Sequence, residues 1–159
     1  MSKAFTTEET PEAPTLVREP PRLRPGEIRL VTPEGYAALR AELEGLRALG
    51  ARLDEERSRR LVLLDQMLAA LTVLGPERVP EDEVGFGSWV VVEDQGGARA
   101  TWRIVGSDEA DARRGTISAL SPLGRALLGR KVGETIEVER PDGVREFTIR
   151  EVHRLPPTP

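Results

Sequence analysis

Not one cysteine occurs among the 159 residues. That excludes a disulfide framework, thiol catalysis and cysteine-based zinc sites together. Histidine is almost as scarce. His153 is the single copy and lies at the end of the last expected strand, with no second histidine to share a metal and no partners for a Ser-His-Asp assembly. It reads as a surface residue. Aromatic residues make up 4% of the chain, few for a pocket built on ring faces. No apolar run approaches membrane-spanning length, and the first residues lack the apolar core of a signal peptide. A cytoplasmic protein without membrane contact is the expectation. The net charge of -4 gives no general nucleic-acid footprint. No Gly-x-x-x-x-Gly-Lys-Ser/Thr loop accompanies Asp108-Glu109-Ala110-Asp111, so these four residues, which spell a helicase box, read as a solvated loop.

What is present divides the chain into four stretches: a tail over 1–30, a helical hairpin over 31–76, a small β domain over 77–155 and a short tail over 156–159. The first tail interleaves Pro11, Pro14, Pro20, Pro21 and Pro25 with Thr, Glu and Arg. Proline removes backbone donors, and no apolar period accompanies it, so a disordered segment is expected. Thr32-Pro33-Glu34-Gly35 then opens a helix, with an N-cap, a proline at the first helical position and an acid in the first turn. Tyr36, Leu39, Leu43, Leu46 and Leu53 form one apolar stripe, and Leu61, Leu64, Leu68 and Leu71 a second. The polar run Asp54 to Arg60 separates them. An antiparallel hairpin turning between Ala48 and Ser58, near Gly50, accounts for both stripes. A single long helix is the alternative, because Leu64, Met67, Leu71 and Leu74 continue the first register. Gly75-Pro76 is expected to end the element.

From Glu83 the apolar period becomes two. Strands are expected at Trp89–Glu93, Ala100–Val105, Thr116–Leu120, Thr135–Glu139 and Phe147–Val152, with turns at Gln95-Gly96-Gly97 and Pro141-Asp142-Gly143. Trp89 and Trp102 are expected to face each other across the first hairpin. Between the third and fourth strands, Ser121 suits an N-cap, Pro122 the first helical position and Gly129 the left-handed residue that closes a helix. Two turns cannot stand alone in water, so this helix must lie on the sheet. The fold class is α+β, a mainly antiparallel sheet crossed by one helix.

Several strings, in order and at matching spacing, resemble the bacterial Gre transcript-cleavage factors. They are Thr32-Pro33-Glu34-Gly35-Tyr36, Val84-Gly85-Phe86-Gly87-Ser88-Trp89-Val90, Ile104-Val105-Gly106-Ser107-Asp108-Glu109-Ala110-Asp111, Ile117 through Gly129, and Lys131-Val132-Gly133-Glu134. The resemblance implies a coiled coil joined to an FKBP-like domain. It further implies that the globular domain docks on RNA polymerase at the mouth of the secondary channel while the coiled coil reaches inward. On that basis Ser121, Pro122, Leu123 and Arg125 are the expected docking residues, and Leu123, Leu127 and Leu128 could equally do no more than pack the helix. In cleaving members, acids at the tip help bind a second Mg²⁺ in the polymerase. The family's tip string is missing here. Each arm holds about 20 residues, or ~30 Å, roughly ten residues and ~15 Å short of the family's reach. Asp54, Glu55 and Glu56 lie near the turn but are crowded by Arg52, Arg57, Arg59 and Arg60, which favours internal ion pairs. The chain thus resembles short-armed, non-cleaving relatives of the Rnk or Gre-like kind. The expectation is a monomeric, polymerase-binding regulator that is not an enzyme and holds no cofactor or metal. The alternatives are a cleavage-competent factor using Asp54 and Glu55, an interaction module whose apolar stripes pair between chains, and a prolyl isomerase, which the poverty of aromatics disfavours.

Overall fold

The structure is a computed structural model and describes residues 28–158; the expected disorder of the first tail lies outside the described residues save its last three. In chain order the elements are β1 (Arg29–Val31), α1 (Pro33–Leu49), α2 (Glu55–Ala70), β2 (Leu71–Val73), β3 (Trp89–Asp94), β4 (Arg99–Val105), β5 (Thr116–Ser118), α3 (Pro122–Leu127), β6 (Thr135–Arg140) and β7 (Gly143–His153). The class is α+β, as expected.

α1 starts where the Thr-Pro pair specifies. Thr32 is extended, and its hydroxyl accepts from the Gly35 amide at 3.1 Å. The helix stops at Leu49 because Gly50 takes a φ of 51°. A short 3-10 turn over Gly50–Arg52 follows, and Asp54 caps α2. The hairpin is therefore formed and the single long helix is not. Leu39, Leu43, Leu64 and Met67 are buried between the arms together with Val31, with Tyr36, Leu46, Leu61, Leu68 and Leu71 packed around them. Leu53, assigned to the first stripe, sits in the turn, half-buried.

Two strands were absent from the sequence reading. β1 and β2 pair in parallel at the root of the hairpin, Val31 opposite Val73, and the Leu74 amide donates to the Val31 carbonyl at 2.9 Å. α2 accordingly ends at Ala70, five residues before the Gly75-Pro76 stop, which instead opens a single 3-10 turn.

The second sheet has the order β5-β4-β3-β7-β6, antiparallel except for the β4–β5 pair. Its core gathers Val84, Val90, Val92, Ile104, Ile117, Leu127, Ile136, Val138 and Ile149. The register sets Trp89 opposite Arg103 and Trp102 opposite Val90. The two tryptophans do not face each other: they are one position out of step, and a one-residue step puts side chains on opposite faces of a strand. Trp102 packs against the core, whereas Trp89 carries the Arg103 guanidinium 5.4 Å from its ring centre. The two apolar cores share no residue.

Candidate functional site

α3 leaves β5 at one edge of the sheet and delivers the chain to β6 at the other. It therefore touches both edge strands, and its underside must be apolar: Leu127 is fully buried, with Leu123, Ala126 and Leu128 packed beside it. The helix lies very close to the strand it comes from. A Cβ on Gly124 would stand 2.1 Å from the Ser118 carbonyl oxygen, so only glycine fits there. Ser121 is the N-cap. Its hydroxyl accepts from the Gly124 amide at 3.1 Å and donates to the Ser118 carbonyl at 2.6 Å, so both capacities are used. Arg125 closes the turn by donating its amide to the Ser121 carbonyl at 2.9 Å.

The four expected docking residues are thus neighbours by construction, in three different settings. Pro122 and Arg125 are exposed, and the Arg125 guanidinium has no ion-pair partner among the described residues. Ser121 is half-buried and fully bonded. Leu123 is half-buried against the core, which is the packing role allowed for it. With six residues and a proline at its first position, α3 presents few free N–H groups, so the charge available here is that of Arg125. Leu120, beside them, is 59% exposed and was not singled out from sequence. A signal for it existed. A residue just before the N-cap packs when an apolar residue stands at the fourth helical position, and here that position is Arg125, so Leu120 has no staple partner.

The other candidate residues sit at the far end of the hairpin. Asp54, Glu55 and Glu56 are exposed and begin the second arm directly after the turn. Two of the three carboxylates are engaged internally. Asp54 Oδ1 accepts from the Arg57 amide at 2.8 Å, as an N-cap does, with the Arg57 guanidinium 3.7 Å from its other oxygen. Glu55 pairs with Arg59 one turn on. No group of three or more possible metal ligands occurs among the described residues. Behind the tip the arms are tied across by charge. Arg60 donates to both oxygens of Glu42, at 2.7 and 2.9 Å, and Arg47 bonds Asp65 at 2.8 Å. The hydrogen bonds from Arg60 hold the Glu42 carboxyl below its ordinary range and push Arg60 up.

The first half of the helicase-like string is not solvated, whereas Ala110 is exposed and Asp111 partly so. The Asp108 side chain is 6% exposed and takes a two-point ion pair from Arg29. Glu109 accepts from both the amide and the hydroxyl of Thr32, and from the Gly106 amide at 3.1 Å. The solvated reading failed because the partners stand 77 and 79 residues upstream. His153 behaves as expected, near the surface and 2.7 Å from Glu151. No helix among the described residues is long and apolar enough to cross a membrane.

Known proteins supply the remaining comparison. The family described as "Transcription elongation factor, GreA/GreB, C-term" matches residues 79–154. Transcription elongation factor GreB of Pseudomonas aeruginosa is 36% identical over 156 residues, spanning 82% of this chain and 92% of that protein. Transcription elongation factor GreA of Clostridium botulinum is 43% identical over 96 residues, and this chain spans 60% of its length. Among solved structures, the GreA/GreB elongation factor of Nitrosomonas europaea is 28% identical with a TM-score of 0.44, covering 79% of this chain and 98% of that one. On the GreB match, which holds along nearly the whole of that protein, the chain belongs to the GreA/GreB family of transcription elongation factors.

Proposed function

We propose that the chain is a regulator of bacterial RNA polymerase that docks at the mouth of the secondary channel and does not stimulate transcript cleavage. The β domain, taken as 77–155, is the docking unit, and the hairpin, taken as 31–76, is a shortened finger. Family membership supports the partner. The exposed group Leu120, Pro122 and Arg125 supports the docking surface: an apolar knob beside an exposed guanidinium that can grip a carboxylate with two hydrogen bonds. The protein acts as a monomer, through the polymerase, and carries no reaction of its own.

The observation that carries the non-cleaving reading is the state of the tip. Its arms of 17 and 16 residues reach about 25 Å. The Pseudomonas GreB match runs over 156 positions, more than 82% of a 159-residue chain can fill, so that relative has residues within the matched stretch that this one lacks. The Asp54 and Glu55 oxygens are engaged by Arg57 and Arg59, and those arginines repel an approaching Mg²⁺.

One observation favours the cleaving alternative: Asp54 and Glu55 stand at the very end of the finger and are exposed. A single pair of assays separates the two. In the first, pull-down at low salt should retain bacterial polymerase and a cleaving Gre factor should displace it; absence of retention sinks the docking reading. In the second, backtracked complexes should show no RNA shortening with the protein. Magnesium-dependent shortening that disappears in Asp54→Ala/Glu55→Ala would establish the cleaving reading instead.

A further inference from the structure

The finger and the β domain have separate core clusters, and directional polar contacts run between them. Among the described residues, side-chain contacts between groups far apart in sequence run from the root of the hairpin to the sheet. Arg29 grips Asp108 with two of its nitrogens. Thr32 gives its amide and hydroxyl to Glu109. Glu34 accepts from Arg103 Nη2 at 3.0 Å, and Arg103 is itself held by the Gly87 carbonyl at 3.2 Å and by the Trp89 ring. The backbones meet as well: a Cβ on Gly106 would stand 2.0 Å from the Leu30 carbonyl oxygen.

Apolar contact is non-directional and permits sliding. A forked guanidinium on a carboxylate, and a carboxylate with three donors aimed at it, each accept one geometry. Thr32 is also fully buried and is the cap of α1, so its hydroxyl receives the Gly35 amide while it donates to Glu109. Any swing of the first arm about its base must break the Glu109 bonds and strand the Thr32 amide without an acceptor, which costs more than losing a surface contact. We propose that the Asp108-Glu109 turn is a clamp that fixes the direction in which the finger projects from the β domain, with Glu109 the positioning residue. Its role is angular. It leaves both cores intact and decides where a tip some 25 Å away points.

For the finger to enter a channel, this inference rests on the polymerase reading; the clamp itself does not. The free protein therefore carries the test. The chain has no cysteine, so Arg52→Cys at the tip and Val132→Cys on the β domain give two unique sites for spin labels. Pulsed dipolar spectroscopy on this pair should give one narrow distance peak. In the Glu109→Ala background that peak should be lost to a broad or multiple distribution. Glu137→Ala, an exposed acid outside the clamp, should keep the narrow peak. A narrow peak retained in Glu109→Ala overturns the proposal, whether or not stability falls. If Glu109→Ala does not fold, Arg29→Ala carries the same expectation and the same overturning result. With polymerase, a failed clamp appears as unchanged retention but lost cross-linking from position 52; a failed docking reading appears as no retention by the parent protein either.

Discussion

Leu64 and Asp54 show how unequally single residues weigh in the hairpin. Leu64 is fully buried between the arms. Leu64→Ala removes its packing and leaves a cavity, an expected loss of roughly 2–5 kcal/mol in chemical denaturation. Asp54→Ala forfeits one cap, an expected loss of about 1 kcal/mol, read as reduced helicity and an earlier hairpin transition. Glu42 adds a dependence on pH. Hydrogen bonds from Arg60 hold its folded pKa below the ordinary 4.5. A carboxyl depressed on folding stabilises above its unfolded pKa, and that share is lost as pH falls through the lower folded value. The pair is partly exposed, so its worth is modest, ~0.2–1 kcal/mol. Glu42→Gln should therefore lower stability at neutral pH and flatten the decline below pH 4.5. A variant curve parallel to the parent's through that range would show that Arg60 and Glu42 contribute nothing across the arms.

Elements written by local chemistry were legible in advance; those written by distant partners were not. Thr32-Pro33 and Ser121-Pro122 announce helix starts because a cap and its proline are neighbours in sequence. The corner at Gly50 was legible within the polar run between two stripes. The parallel pair β1–β2 was not, since three residues carry too little period and the partners lie about forty positions apart. The Trp89–Trp102 error has the same root: each strand was visible, but their register is fixed by the turn after Asp94, whose Oδ1 accepts from the Gly96 and Ala98 amides, both at 2.9 Å. At the docking surface the order of residues was legible and their exposure only partly so. Gly124→Ala tests how tightly α3 is set. The added methyl meets a backbone carbonyl, which cannot swing aside, so α3 must lift from β5. The expected outcome is a lower unfolding midpoint for the β domain together with weaker polymerase retention. An unchanged midpoint would mean that the helix seat is slack.

At the scale of the whole molecule, the described residues form two small cores with a polar seam, and stability should divide accordingly. Neither core cluster borrows an apolar residue from the other, and directional bonds run between them. Hydrogen exchange should show two protection plateaus, with amides of β3 and β7 at the centre of the sheet the slowest and those of α2 faster. One uniform plateau would mean that the seam carries more cooperative energy than its contacts suggest.

The paired strands at the hairpin's root have a consequence for how such proteins diversify. Chain enters the finger through Val31 and leaves through Val73, and those two residues are register partners. Whatever lies between them forms a closed excursion whose ends are pinned together. Residues can then be added to or removed from both arms in matched steps without moving the root, the seam or the sheet. Reach becomes a quantity that evolution can adjust like the blade of a tool in an unchanged handle. A graft of one helical heptad into each arm near Leu49 and Glu55 should give a longer, folded protein with the same β-domain spectrum.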